Sequence, residues 1–379
     1  VMQLAMGITV LIARYLGEKK EEQIGSIIGG GTVVFAAISL VLFVIMVGFA
    51  RPIAVLMQAP EEAVGLTAAY IRICGAGIFF IVAYNVLSAI FRGLGDSNSP
   101  LLFVFVACIV NIVGDLVLVA GLGMDAMGAA LATVFAQALS VVFAIVRLVK
   151  KGLPFTITGY DFRWNPQCGK FLQIGLPLAL QECLTQGSFL ALCAFVNRLG
   201  LEASSGYGVA CKIVNFAMLI PSALMQSTSS FVSQNVGAGE QRRAKKTMFT
   251  GIGIGLLVGC FVFVLVFFRG NLLAGIFSAD AAVVQRGYEY LKGFAPETLL
   301  TAVLFSMMGY FNGNGKTVWV MLQGLIQTLL VRLPFAYYMS IQPDASLTNI
   351  GLAAPISTAV GIVLNVAYFL YLEHAAKRS

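Results

Sequence analysis

Two stretches of the chain follow one pattern at a fixed distance. YIRICGAGIFFIVAYNVLSAIFRGLGDS begins at Tyr70, and YLKGFAPETLLTAVLFSMMGYFNGNGKT begins at Tyr290. Tyr70 pairs with Tyr290, Arg72 with Lys292, Phe91 with Phe311, Gly93 with Gly313 and Gly95 with Gly315, all at one constant offset. The same offset carries Gly17 onto Gly237 and Gly31 onto Gly251, so the duplication covers most of the chain. Whatever one half folds into, the other half must fold into as well.

With 59% hydrophobic and 11% charged residues, 379 residues do not make a soluble core. A hydrocarbon layer about 30 Å thick takes about 20 apolar residues of helix. Eleven apolar runs follow one another: a short one at 2–13, then 27–49, 66–92, 100–121, 126–149, 170–197, 206–233, 247–268, 286–311, 317–340 and 349–372. They are apolar all round and lack period-two alternation, which argues for helices over a β-barrel. The expected class is therefore an all-α integral membrane protein.

The run at 2–13 has no basic leader or cleavage site and does not read as a signal peptide. The second repeat holds six helices and the first five, which predicts one further helix ahead of Val1 and twelve spans in the natural protein. An even number of helices per repeat makes the copies parallel, related by a pseudo-two-fold axis along the membrane normal. The expected organisation is an amino-terminal lobe at 1–150, a cytoplasmic linker at 151–169 and a carboxy-terminal lobe at 170–379. A linker of that length reads as one that lets two lobes move. Pro177, Pro221, Pro296, Pro334 and Pro355 fall within helices of the second lobe, whereas Pro52, Pro60 and Pro100 lie at helix ends in the first. Bending is thus expected mainly in the second lobe.

Sixteen of the 24 Lys and Arg residues fall in alternate loops and the carboxy-terminal tail with Lys377 and Arg378, which places that side in the cytoplasm. The expected localisation is the inner (plasma) membrane, multi-pass. The net charge of +7 is spread over short loops without aromatic interleaving, so no nucleic-acid partner is implied. The seven cysteines form no CxxC pattern and read as reduced packing residues; the single histidine, His374, cannot build a zinc cluster. No metal or other cofactor is expected.

GNGKT at Gly313–Thr317 resembles the end of a phosphate-binding loop, but Tyr310 stands where that motif needs glycine and no strand precedes it. No catalytic motif or carboxylate pair at helical spacing appears, so the chain does not read as an enzyme. Gly251, Gly255 and Gly259, spaced by four, suit the close approach of two helices.

A charge in hydrocarbon is costly enough to need a partner or a task. Glu182 lies twelve residues past Lys170, which at about 1.5 Å per helical residue sets it near the midplane. It follows Pro177 and has Gln181 and Gln186 nearby. It is the leading candidate for ion coupling; the alternative is a structural ion pair with Lys212. Glu297 is the second candidate. Arg72 and Lys292 suit snorkelling at the outer edge, and Asp115 and Arg332 suit structural pairing. Asn85, Gln137 and Asn215 are candidates, with Gln181, Gln186 and Lys212, for lining a substrate path. Asn111, Gln226, Gln323, Gln327 and Asn365 are polar at similar depth and suit hydrogen bonding between helices.

IGLPLALQE at the start of the second lobe, PSALMQSTSSFVSQNVGAGEQRRAKK across its second helix and YFNGNGKT after its fourth resemble the multidrug and toxic compound extrusion family, and the likeness spans the whole chain. It implies a monomeric antiporter in which two helical bundles enclose a cleft and export organic cations or other amphiphiles against entering H⁺ or Na⁺. Family members use acids on the seventh and tenth helices, where this chain carries Glu182 and Glu297 at shifted positions. A lipid-linked precursor flippase of the same superfamily is the alternative, and a membrane-embedded enzyme a more distant one.

Overall fold

The computed structural model describes residues 1–57, 61–151, 156 and 158–376; Pro60, Lys377, Arg378 and residues 152–155 and 157 of the expected linker lie outside them. Among the described residues eight helices are long and apolar enough to span a bilayer, two bent helix pairs each make one further span, and Met2–Gly17 is a shorter apolar helix. The eleven runs read from the sequence are these eleven elements. Side chains such as Leu101, Phe105, Leu257 and Leu330 are exposed, as lipid-facing residues should be.

The chain forms two compact units, Val1–Gly175 and Leu176–Ser379. The first contains α1 (Met2–Gly17), α2 (Glu22–Gly48), α3 (Ala50–Leu56), α4 (Glu61–Ala76), α5 (Ile78–Gly93), α6 (Asn98–Asp115) with a π-helical end at Leu116–Gly121, and α7 (Asp125–Lys151). It also holds the first turns of α8 (Pro166–Asn197). The second continues with α9 (Leu201–Gly237), α10 (Gln241–Gly275), α11 (Ala281–Phe294), α12 (Glu297–Gly313) and α13 (Thr317–Leu325). A π-helical stretch at Ile326–Arg332 leads into α14 (Leu333–Ser340), and α15 (Leu347–Gly351) precedes α16 (Ala353–Ala376).

The duplication is written in backbone detail. Thr9 Oγ1 donates to the Ala89 carbonyl at 2.9 Å, and at the repeat-related positions Ser229 Oγ donates to the Gly309 carbonyl at 3.2 Å. The turns after α5 and α12 both place a left-handed glycine, Gly95 (φ +78°) and Gly315 (φ +75°). These are tight turns between membrane helices, and GNGKT is one of them. Gly239 (φ +78°) is matched by Lys19 (φ +57°), a non-glycine held in the same region.

Bending is shared between the units and not concentrated in the second. The pair α4 and α5 meets at 51° and the pair α11 and α12 at 48°, at positions related by the repeat. Pro177 and Pro221 sit inside continuous helices, Pro334 follows directly on the π-helical stretch, and Pro355 lies in the first turn of α16, where a missing N–H costs no hydrogen bond.

The described part of the connection between repeats is fastened to the first unit. Asp161 accepts from Ser26 Oγ at 2.7 Å and from the Thr158 backbone N–H and hydroxyl, both at 2.9 Å. The Thr158 N–H and then the Ser26 hydroxyl hold its carboxyl below the usual aspartate range. Asn165 donates to the Ser26 carbonyl at 2.9 Å and Gln167 to Gln23 at 2.6 Å, while the Tyr15 hydroxyl donates to Gln167 at 2.9 Å. Phe171 stacks on Phe35, and Gly7 and Gly30 leave no room for a Cβ against Phe171 and Cys168. The start of α8 is therefore bedded in the groove between α1 and α2.

Candidate functional site

The buried charges of the second unit meet where α11 bends into α12. Glycine contacts flank that bend on both sides. Gly259 of α10 lies so close to the Thr298 carbonyl that a Cβ would stand 2.6 Å from it, and Gly255 packs on Ala302. On the other side Gly293 of α11 abuts the Thr348 carbonyl and Gly351 the Tyr290 carbonyl, which draws α15 and the start of α16 against α11. The spaced glycines read from the sequence thus pin the first turn of α12, and with it Glu297.

Glu297 is only 6% exposed. Its Oε1 accepts from Thr358 Oγ1 of α16 at 2.8 Å, Thr358 accepts from Gln327 Nε2 at 3.0 Å, and Gln327 accepts from Gln323 Nε2 at 2.6 Å. Every hydrogen in this chain points toward the carboxylate, an order in which each bond polarises the next and which suits negative charge at its end. Gly361 makes room for it, since a Cβ there would lie 2.6 Å from both the Gln323 and Gln327 amides. The other carboxylate oxygen, Glu297 Oε2, is buried with no hydrogen-bond partner, as are Gln323 Oε1 and Arg332 Nε. Unpaired polar atoms at such depth are costly and rare in folded proteins.

Arg332 is buried and its guanidinium lies 4.6 Å from the centroid of the Phe189 ring. It is near enough for its charge to act on both Glu297 and Tyr290. In an α-helix, residues five apart lie about one and two-fifths turns around and do not share a face. The π register of Ile326–Arg332, bonded i to i+5, widens the turn that carries Gln327 and Arg332.

The candidates divide. Gln181 packs its amide against Gly324, next to Gln323, so it borders the Glu297 chain. Glu182 is half-buried and accepts from Gln186 Nε2 at 2.8 Å, one turn along its own helix. Lys212 does not pair with Glu182; its ammonium stands 5.5 Å from the Phe277 ring centroid. Asn215 is exposed. In the first unit Asn85 donates to the Ile81 carbonyl at 2.8 Å, a bond within its own helix, while Gln137 Oε1 and Asp115 Oδ1 are buried without partners. Lys292 lies 4.4 Å from the Tyr288 ring centroid. Asn365 accepts from Trp319 Nε1 at 2.9 Å, under a Trp319–Tyr368 stack. Thr358, the direct partner of Glu297, has no local sequence signal: a lone threonine in an apolar helix is common, and its partner lies far away in the chain.

Known proteins fit this architecture. The chain is 27% identical over 286 residues to "Probable multidrug resistance protein YpnP" of Bacillus subtilis, covering 75% of this chain and 64% of that protein. It is 24% identical over 381 residues to "Probable multidrug resistance protein YoeA" of the same organism, covering 97% and 81%. "Multidrug export protein MepA" of Staphylococcus aureus (strain N315) is 26% identical over 332 residues, covering 85% and 72%. Among solved structures, an "outward-facing conformation of a multidrug resistance MATE family transporter of the MOP superfamily" superposes with a TM-score of 0.94 at 21% identity, over 100% of this chain and 85% of that one. A MOP superfamily transporter from Pyrococcus furiosus reaches 0.94 at 22% identity with the same coverage. The family model described as MatE matches residues 1–117 and 177–338, and the chain belongs to that family.

Proposed function

We propose that the protein is a secondary active antiporter of the bacterial inner membrane. It exports amphiphilic or cationic small molecules in exchange for H⁺ or Na⁺, and Glu297 is its principal coupling acid. The observation that carries this reading is the pairing, on one buried carboxylate, of a filled oxygen and an open one. Oε1 is fixed by Thr358, and Oε2 has no partner. A proton or a small cation arriving at Oε2 would neutralise a charge that the Gln323–Gln327–Thr358 chain serves. Arg332 would feel the change at once. An ion can shift the balance between two transporter states only if its affinity differs between them. A carboxylate at a helix bend is well placed for that, since the bend angle sets the distance from Oε2 to its neighbours. Glu182, half-buried with Gln186, is assigned the second role: an acid exposed enough to meet substrate.

The test is gradient-driven transport of a fluorescent organic cation in proteoliposomes, under an imposed pH gradient and then a Na⁺ gradient. Glu297→Gln should abolish gradient dependence while leaving cation binding in place, and Glu182→Gln should weaken cation binding more than coupling. Full gradient dependence in Glu297→Gln would remove this acid from the mechanism, and transport without any gradient would refute antiport.

A further inference from the structure

The donor chain at Glu297 is one end of a longer polar seam inside the second unit. Along α13 and its π-helical continuation Trp319, Gln323 and Gln327 recur every four residues, and along α16 they meet Asn365, Gly361 and Thr358 in reverse order. Trp319 stands in the first turn of α13, just past the turn GNGKT, which the distribution of Lys and Arg places on the cytoplasmic side. The seam therefore runs from the buried acid to the cytoplasmic end of the unit. It is buried and partly unbonded. Gln323 and Asn365 are fully buried, yet Gln323 Oε1 and Asn365 Nδ2 have no hydrogen-bond partner, like Glu297 Oε2. In the last turn of α12, Asn312 is fully buried with both amide atoms unbonded. At 3.6 residues per turn it lies about 60° around α12 from Glu297, on the same side of the helix. Packing alone does not call for this polarity. At the offset of the duplication Glu297, Gln323, Gln327, Thr358, Gly361 and Asn365 correspond to Gly77, Phe103, Ala107, Ala138, Val141 and Ile145, none of which has a polar side chain. One copy uses hydrocarbon at these positions, and the other leaves costly open amides there.

We infer that the α13–α16 seam is the route by which a proton leaves Glu297 for the cytoplasm, on waters seated at the open atoms of Gln323, Asn365 and Asn312. The inference rests on Glu297 being the coupling acid, and it names H⁺ as the ion. The protonated carboxyl gives the hydrogen on Oε2 to the first water, each water passes one of its own to the next, and the last releases one to the cytoplasm. Glu297 returns to carboxylate and every water keeps two hydrogens. The amides hold the waters by hydrogen bonds and do not change protonation, since buried water settles where polar partners converge. The seam itself has no titratable side chain. The charged and titratable groups near Glu297 are Arg332 on the π-helical stretch and Tyr290 on α11. Those at the cytoplasmic end are Tyr310, Tyr368 and the ion pair of Glu373 with Lys245. The seam suits a proton better than a metal cation. A hard cation gathers several oxygens at once, and here the Gln327 and Thr358 oxygens already accept from neighbours, which leaves Glu297 Oε2 and Gln323 Oε1.

The test compares three rates for the protein in proteoliposomes, with ethidium as the organic cation. They are ethidium transport driven by a pH gradient, the accompanying proton flux reported by trapped pyranine, and exchange of internal for external radiolabelled ethidium with no gradient. Exchange needs the cation site and the change of conformation but no proton transfer. Asn365→Leu keeps the volume and removes the amide; it should slow pH-driven transport and proton flux by about tenfold and leave exchange within about twofold. Asn312→Leu, which removes no hydrogen bond present in the structure, should act in the same way without disturbing Trp319. Asn365→Asp, which keeps an acceptor for Trp319 and for water, should restore both proton-linked rates. An equal fall in exchange, or an equal loss in Asn365→Asp, would make the seam structural and overturn the inference. So would wild-type rates in both leucine variants while Glu297→Gln loses gradient dependence, which would keep the coupling acid and send its proton elsewhere. Transport driven by Na⁺ and indifferent to pH would overturn the inference and leave antiport standing. Gradient dependence kept in Glu297→Gln would remove Glu297 from the mechanism and the inference with it.

Discussion

If Glu297 is held as a carboxylate by Thr358, the strength of that bond should depend on the charge it serves. Thr358→Val keeps the shape of the side chain and removes one hydroxyl, which breaks the bond to Glu297 Oε1 and orphans Gln327 Nε2. A bond to a charged acceptor contributes about 1.5–3 kcal/mol and a neutral one about 0.5–1.5 kcal/mol, so the substitution should cost about 2–4 kcal/mol. Glu297→Gln leaves an amide oxygen that can still accept from Thr358, now without charge. The same Thr358→Val change made in Glu297→Gln should therefore cost about 1 kcal/mol less. That difference exceeds the roughly 0.3–0.5 kcal/mol within which independent sites add. Reversible unfolding of the four proteins in mixed micelles gives the cycle, with Thr358→Ser as the control that keeps the hydroxyl. Equal losses in both backgrounds would refute the claim that the donor chain serves a charge at Glu297, and with it the choice of Oε2 as the coupling atom.

Three further outcomes are expected. Gly361→Ala should push Gln323 and Gln327 apart, costing about 1–3 kcal/mol by overpacking and lowering gradient-driven transport; Gly253→Ala, with open space around it, should stay within about 0.5 kcal/mol. At the bend of the first unit, Gly77→Ala should destabilise by about 1–3 kcal/mol, because its Cβ would meet the Val134 side chain, and Val134→Ala should recover part of the loss in thermal unfolding. Asp161 has a carboxyl lowered in the folded state, so its contribution is fully present above the ordinary aspartate value, near 4, and is lost as pH falls through the lower folded value. Hydrogen exchange of the Thr158–Asn165 backbone should accelerate below about pH 4, and Ser26→Ala should move the onset upward; an unchanged onset would show that Ser26 does not hold the segment.

Much of this architecture could be read from residues alone, because it rests on repetition and on local chemistry. The constant offset between the copies locates both glycine turns, and Gly255 and Gly259 announce a close helix contact by spacing, whereas the bend of the first unit carries no proline and goes unannounced. What lay beyond reach was contact across the fold. Lys212 stands over Phe277, and Thr358 finds Glu297 only because Gly293 and Gly351 bring α11 and α15 together. The π turn at Ile326–Arg332 has no side-chain signature, so nothing local announces the widened turn that carries Gln327 and Arg332. The connection between repeats read as loose because its composition is polar, yet Asp161, Asn165 and Gln167 spend that polarity on fixed partners in α1 and α2.

The two bends carry one last implication. At the second, the residues are Ala295, Pro296 and Glu297; at the first, in the same places, they are Gly75, Ala76 and Gly77. One copy has a proline and the other has none, yet the angles are close, 48° against 51°. The proline is therefore a passenger at a corner that the neighbouring helices already enforce, much as a hinge pin fits a joint cut for it by the surrounding frame. Removing it should leave the corner standing, and straightening the corner would require rebuilding the walls on either side.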